Sequence, residues 1–207
     1  MIKAIIFDYG NVISALDNNL FLKEISGHSE KTLSELRELI YVKSEHPRQY
    51  ETGLISSDEF FIQIKQLCGL SISKTDFIKA FTGIFTPIQS TLELIERLKP
   101  DYRLGLLSNT NEWDFKYEIE EIKVFDLFDT VTVSYKVKAM KPDNKIYLDA
   151  LNKLRLQPEE CIYIDDIKEY SDAASAIGIR GVHYTDHESL INSLTGLGCN
   201  IHYPPMK

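Results

Sequence analysis

The sequence predicts an α/β protein: a doubly wound parallel sheet, strand order 5-4-1-2-3, with a helical bundle inserted after the first strand. Three observations carry this reading. The chain opens on a short β-forming run (Ile2, Ala4, Ile5, Ile6, Phe7) that stops at a carboxylate, Asp8, with Gly10 two residues on. About seventy residues follow in which apolar positions recur at helical spacing and no strand interrupts them. From Pro87 onward, strand-like and helix-like segments alternate, the pattern of parallel strands joined by right-handed crossovers.

The opening run is too short for a helix and has the composition of a strand buried on both faces. A strand that delivers Asp8 to its carboxyl end and then turns on Gly10-Asn11 puts a charge where open α/β sheets bind ligands. A buried, uncompensated carboxylate is costly, so Asp8 either caps the next element or faces a cation or hydrogen-bond donors. Asp17 or Asn18 is placed to cap a helix through Leu20, Phe21, Leu22 and Ile25, and Ser29 to begin another with Leu33, Leu36, Leu39 and Ile40. His46-Pro47 is expected to break that helix, and Gly53-Leu54-Ile55 to turn. Ser56-Ser57-Asp58-Glu59 resembles a capping box ahead of Phe60, Phe61, Ile64 and Leu67. Ser73-Lys74-Thr75-Asp76 does the same for Phe77, Ala80 and Phe81. Four helices without a strand read as one inserted bundle over residues 15–86, leaving 1–14 and 87–207 to the α/β core.

In the second part, Ser90 to Lys99 is amphipathic through Leu92, Ile95 and Leu98, and Pro100-Asp101 ends it. The segment from Tyr102 to Leu107 is a strand that runs into Ser108-Asn109-Thr110-Asn111. Thr130 to Val133 is another, followed by Lys138-Ala139-Met140-Lys141-Pro142, and Ile146 to Leu154 is a helix. Cys161 to Ile164 is a strand stopping at Asp165-Asp166. A helix through Ala173, Ala174, Ala176 and Ile177 ends at Gly178, and Gly181 to Tyr184 is the last strand. Residues 196–207 carry no pattern and are expected to be loosely held.

Composition narrows the function. The chain has 207 residues, 43% hydrophobic and 26% charged, which suits one globular domain carrying an insertion. A net charge of -8 with no lysine or arginine cluster argues against a nucleic-acid partner. No apolar run approaches the roughly 20 residues that span a bilayer. Met1 runs straight into the first strand, so no signal peptide is expected. Three cysteines (Cys68, Cys161, Cys199) without a CxxC pair read as reduced thiols, which points to the cytoplasm. The five histidines show no metal-ligand spacing.

Four polar clusters fall at the ends of predicted strands or in the loops behind them: Asp8, Ser108-Asn109, Lys141 and Asp165-Asp166. In the predicted order the first strand is central, with Ser108 on one side and the acid pair on the other. Like charges at about 4 Å repel by roughly 4 kcal/mol at intermediate dielectric. A hard divalent cation removes that penalty, and Mg2+ favours a few carboxylates plus water and a phosphate oxygen. Ser108, nearby backbone amides and the Lys141 ammonium supply donors for a phosphate.

Phe7-Asp8-Tyr9-Gly10-Asn11-Val12, Leu107-Ser108-Asn109-Thr110-Asn111, Met140-Lys141-Pro142 and Ile164-Asp165-Asp166 resemble, in order and spacing, the four motifs of the haloacid dehalogenase-like (HAD) hydrolases. The helical insertion is similar to that superfamily's type 1 cap. The Asp-x-Gly-Asn-Val and Ser-Asn-Thr-Asn forms resemble its bacterial glucose-1-phosphate phosphatase branch. The resemblance implies a Rossmann-like core and a Mg2+-dependent phosphatase for a small phosphorylated metabolite, a sugar phosphate above others. It implies that Asp8 is the nucleophile, forming an aspartyl-phosphate that water hydrolyses, and also a metal ligand beside the Gly10 carbonyl. Asp166 matches the direct metal ligand, and Asp165 a second ligand or an outer acceptor. Ser108 and the Asn109 amide would hold the phosphate, and Lys141 would neutralise charge on Asp8 and on the transferring group.

One departure from the pattern has consequences. Phosphatases of the superfamily carry a second Asp two residues after the nucleophile as general acid and base; Gly10 stands there. The carbonyl ligand survives and the proton donor does not, and general acid catalysis contributes about 10²–10⁴-fold. Slow turnover, a donor from the cap or the substrate, or a regulatory phosphate-binding role are the alternatives. A 2-haloacid dehalogenase is a distant third, since those members need no metal and lack the acid pair. Receiver domains place their acid pair after the first strand, unlike this chain. Arg48, Gln49 and Tyr50, in the inserted bundle, and Trp113 and Phe115, after the Ser108 loop, are candidates for the substrate entrance, with packing the alternative for the last two. Lys136 and Lys138 read as solvated charges and Tyr170 as structural.

Overall fold

The apolar run at the start of the chain forms β1 (Ala4–Phe7), every residue of it buried. In the computed structural model, which describes residues 1–202, β1 is the centre of a five-stranded parallel sheet. A short strand β2 (Ser14–Leu16) follows, then the helical insertion: α1 (Asn18–Ser26), α2 (Leu33–Arg37) continued by a π turn over Glu38–Val42, α3 (His46–Glu51), α4 (Ser57–Cys68) and α5 (Lys74–Thr82). The chain returns through β3 (Phe85–Pro87), antiparallel to β2. It then alternates through α6 (Gln89–Leu98), β4 (Arg103–Ser108), α7 (Glu112–Asp114), β5 (Thr130–Val133), α8 (Ser134–Val137), α9 (Asn144–Leu154), β6 (Cys161–Asp165), α10 (Lys168–Ala176), β7 (Arg180–His183) and α11 (His187–Gly196).

The sheet order is β5-β4-β1-β6-β7. Counting only these strands in chain order, that is 3-2-1-4-5, the predicted order read from the other edge. Alternate residues feed two cores. Ile5, Phe7, Leu104, Leu106, Ile162 and Ile164 pack under α6 and α11. Ala4, Ile6, Leu107, Cys161 and Tyr163 pack under α9 and α10. Full burial of Ile5, Ile6 and Phe7 contributes about 1.5–3 kcal/mol each.

The insertion has a core of its own, built on Phe21, Ile40, Tyr50, Phe60, Ile64 and Phe77. The Ser56–Glu59 capping box forms at the head of α4, and Ser73 caps α5. Three expectations are corrected here. Thr32, paired with Glu35, caps α2, whereas the Ser29 hydroxyl holds the Cys68 carbonyl. Pro47 lies in the first turn of α3, where its missing N–H is no loss, so the chain restarts a helix there and five helices form. The β2–β3 ribbon, absent from the sequence reading, joins the insertion to the sheet: its strands are too short for a period-2 signal, and each needs a partner far along the chain.

The helical segments over 112–119 and 187–196 were likewise unanticipated. The segment after α11 is held through residue 202, because Asn200 bonds Asp101 and the Tyr102 hydroxyl while His202 meets Asp101 at 2.9 Å. The rest of the stretch expected to be loose, residues 203–207, lies outside the described residues. Among the described residues no helix is long and apolar enough to cross a membrane.

Candidate active site

Strand register brings the first two acids together. Phe7 lies opposite Ile164, so the next residues, Asp8 and Asp165, stand side by side at the carboxyl ends of β1 and β6. Ser108 ends β4 on the other flank. Lys141 comes from the loop before α9, and Asn109 clamps that loop: its Oδ1 accepts the Lys141 N–H at 2.8 Å and its Nδ2 donates to the Lys141 carbonyl at 3.3 Å. The Lys141 Nζ then lies 2.8 Å from Asp8 Oδ1 and 2.7 Å from Asp165 Oδ2, all three side chains nearly fully buried. The four predicted clusters therefore meet at one place.

The acid pair divides its work. Asp165 has both oxygens engaged: Oδ2 accepts from Lys141 and the Tyr163 hydroxyl, and Oδ1 from the Ile167 N–H at 2.8 Å. Asp166 is only partly buried, and its Oδ2 accepts from Asn11 Nδ2 at 3.0 Å while its other oxygen carries no hydrogen bond among the described residues. Asn11 has φ +54, a left-handed conformation that asparagine tolerates, and its Oδ1 also takes the Leu16 N–H. It links the first loop to the acid pair. The Gly10-Asn11 turn marks the position in the sequence, but the distant partner is not legible there.

Asp8, Asp165 and Asp166 each offer an oxygen within 4.8 Å of the others. Against three carboxylates stands one ammonium. Burial pushes the Asp8 carboxyl up to about 7, Lys141 pulls it down, and Asp165 adds repulsion. Burial also works against the Lys141 ammonium, but Asp8 and Asp165 outweigh it and hold that group above the ordinary lysine range. The cluster is under-neutralised. Asp8, Asp166 and the Gly10 carbonyl, which no backbone hydrogen bond uses, form an all-oxygen donor set that fits Mg2+ with water and phosphate completing its shell. Asp165, saturated by other donors, suits the outer acceptor of the two roles expected for it.

Gly10, Ser108 and Asn109 open on a chamber of about 120 Å³ between sheet and insertion, walled by Tyr9, Tyr41, Tyr50 and Phe60. A wider cleft of about 800 Å³ contains Lys141, Met140, Tyr170 and Arg48. Of the expected entrance residues, Arg48 and Tyr50 line these two spaces, and Trp113 and Phe115 do not. Arg48 is exposed in that cleft and pairs with Glu45 at 3.8 Å. Tyr50 presents its ring to the chamber, but its hydroxyl is used internally by Ser57 and the Trp113 N–H. Trp113 does not line the chamber; it packs with Tyr50, Phe60 and Phe77 inside the insertion's core, because only there is its large apolar surface covered. Phe115 is buried in the sheet core with the Lys136 ammonium 4.1 Å above its ring. Lys138 is exposed, as expected, and also donates to the Gly53 carbonyl, tying the insertion to the core. Tyr170 stands 5.1 Å from the Lys141 ammonium and accepts the Tyr147 hydroxyl on its carbonyl.

Two further acids on the chamber wall, Glu51 and Asp114, carried no motif in the sequence. Burial pushes Glu51 up to about 7, with Lys141 pulling the other way. Asp114 is held well above the usual carboxylate range, also by burial, against the pull of its Asn111 hydrogen bond.

Comparison with known proteins gives a consistent picture. The family model "Haloacid dehalogenase-like hydrolase" matches residues 19–183, a span that holds three of the four clusters and begins after Asp8. The chain is 28% identical over 177 residues to a D-ribitol-5-phosphate phosphatase of Bacteroides thetaiotaomicron, covering 80% of this chain and 84% of that one. It is 30% identical over 204 residues to the sesquiterpene phosphatase astK of Aspergillus oryzae, covering 95% and 97%. A HAD family enzyme of Bacteroides thetaiotaomicron, in complex with magnesium and inorganic phosphate, superposes with a TM-score of 0.79 at 26% identity, over 89% of this chain and 95% of that one.

Proposed function

The chain belongs to the haloacid dehalogenase-like hydrolases, and on that premise we propose a Mg2+-dependent phosphatase that hydrolyses a small phosphorylated metabolite through an aspartyl-phosphate on Asp8. The observation that carries the reading is the buried Asp8 carboxylate, oriented by Lys141 at 2.8 Å beside the acid pair, with Lys141 the one ammonium paired with this cluster among the described residues. Asp8 attacks phosphorus, the ester oxygen departs, and water then cleaves the acyl phosphate. Ser108 and the Asn109 amide hold the phosphoryl oxygens, and Lys141 stabilises the charge that gathers on them. Asp8, Asp166 and the Gly10 carbonyl would hold Mg2+, which when bound would supply positive charge to the same oxygens.

Two of the relatives suggest different leaving groups, a sugar alcohol and a sesquiterpene. The chamber of about 120 Å³ beside Gly10 and Ser108 suits the smaller class, a sugar phosphate, while the adjoining cleft of about 800 Å³ that holds Lys141 has room for the larger one. The acidic balance of the chain supports a metabolite rather than a nucleic acid, and three buried free thiols suit a reducing, cytoplasmic setting. Gly10 favours one second reading, a phosphate-binding module with little turnover. Phosphate release from p-nitrophenyl phosphate, in Mg2+ and in EDTA, separates the two. Release that requires Mg2+ and vanishes in Asp8→Asn is expected; none above the Asp8→Asn background sinks the enzyme.

A further inference from the structure

An alkyl phosphate needs a proton on its departing oxygen, and residue 10 cannot give one. The space beside it is open: a Cβ built on Gly10 meets no heavy atom within 4 Å. Two carboxyls outside the four clusters face the chamber that Gly10 lines, and their surroundings distinguish them.

Asp114 is anchored at Oδ2 by Asn111 at 2.6 Å, its Oδ1 is buried without a partner, and it does not reach the cleft that holds Lys141. Glu51 lines both spaces, the chamber with Gly10 and Ser108 and the cleft with Lys141, and among the described residues no other carboxyl does so. Its carboxyl makes no hydrogen bond or ion pair among the described residues. Its backbone is held firmly against the core: Ser134 Oγ donates to the Glu51 carbonyl at 2.6 Å, Thr52 Oγ1 meets Met140 Sδ at 3.2 Å, and Lys138 bonds the Gly53 carbonyl. Residues 51–53 are thus fastened to the segment that carries Lys141.

We propose that Glu51, from the inserted helices, is the general acid and base of the reaction, in the role that residue 10 cannot fill; this rests on the phosphatase reading above. In the first half-reaction the Glu51 carboxyl gives its proton to the bridging oxygen as the O–P bond breaks and the Asp8–P bond forms, releasing the alcohol. In the second, the Glu51 carboxylate takes a proton from the water that attacks phosphorus, freeing phosphate and restoring both carboxyl groups to their starting states. A carboxyl pushed up to about 7 is available in both forms near neutrality, as this exchange requires.

The test compares kcat/KM on glycerol phosphate, whose alkoxide needs a proton, with p-nitrophenyl phosphate, whose phenolate does not. Wild type, Glu51→Gln, Asp114→Asn and the double variant Glu51→Gln/Gly10→Asp are assayed with saturating Mg2+, with unfolding curves to verify that each folds. Glu51→Gln is expected to lower kcat/KM on glycerol phosphate by about 10²–10⁴-fold and to spare at least about tenfold of that loss on p-nitrophenyl phosphate. Adding Gly10→Asp is expected to return part of the lost activity on glycerol phosphate. Equal losses on the two esters, no loss, or a leaving-group-selective loss in Asp114→Asn instead of Glu51→Gln overturns the assignment while leaving the phosphatase reading intact. Absence of Asp8-dependent release from the wild-type chain on both esters overturns the two together.

Discussion

Replacing Lys141 by methionine removes the one cation that faces two buried carboxylates. With Nζ 2.8 and 2.7 Å from Asp8 and Asp165, each contact carries a gross attraction of about 6 kcal/mol at an effective dielectric of about 20. Desolvation of the charges offsets most of that, and removing one partner of a buried pair costs about 3–5 kcal/mol net. The loss depends on pH, and its sign follows from Asp8. Its carboxyl lies at about 7 when folded against 3.8 as a free side chain, so the folded state holds its proton more firmly and stability falls as pH rises between those values. Without Lys141 the folded value rises further, and each added unit costs about 1.4 kcal/mol once the pH is above it. At pH 5 Asp8 keeps its proton with or without the lysine, and only Asp165 loses its partner. Denaturant unfolding in EDTA should therefore show a loss of about 3–5 kcal/mol for Lys141→Met at pH 8 and a distinctly smaller one at pH 5. In thermal unfolding the pH 8 loss corresponds to a drop of about 6–20 °C in Tm for a domain of this size. A loss of the same size at both pH values would refute the coupling.

Three other perturbations probe separate parts of the argument. Asp166→Asn should raise the Mg2+ concentration for half-maximal activity more than about tenfold and recover at high Mg2+; Asp165→Asn should lose about 10–100-fold in kcat even at saturating Mg2+, because it anchors Lys141. The reverse pattern in a Mg2+ titration would exchange their roles. Gly53→Ala puts a Cβ onto the Tyr135 carbonyl at a residue with φ +66 and should cost at least about 1–3 kcal/mol by urea unfolding, since residue 53 lies where insertion and core are tied; a stability equal to wild type would show that this junction has room to relax. Glu51, only partly buried, with its carboxyl pushed up to about 7 against 4.5 free, should make the metal-free protein lose up to about 3 kcal/mol as pH rises from 4.5 to 7, less where solvent screens it, a component that Glu51→Gln abolishes. Parallel stability-against-pH profiles for the two proteins would contradict the partial burial of that carboxyl.

Much of this molecule was readable without coordinates, and for a common reason. β1, the Ser56–Glu59 capping box and the alternation after Pro87 are local: apolar period, cap chemistry and strand length depend on residues within a turn or a strand of each other. The meeting of Asp8, Ser108, Lys141 and Asp165 followed nearly as directly, because parallel strands in a doubly wound sheet end on the same side. What stayed hidden depends on contacts that no window of sequence contains. Pro47 reads as a break until α3 is seen to start there, and Trp113 reads as either an entrance or a packing residue until the insertion's core closes over it. Asp165 and Asp166 are adjacent and chemically identical, and only Tyr163, Ile167, Lys141 and Asn11 separate an anchored carboxylate from an available one. Glu51 carries no motif at all; Ser134, Met140 and Lys138, all more than eighty residues along the chain, hold the segment around it against the stretch that leads into Lys141. Local chemistry decided which groups the chain carries and at which strand ends they emerge. Their partners, their burial and hence their charge came only from the folded packing, because desolvation and ion pairing belong to the space around a group and not to its place in the chain.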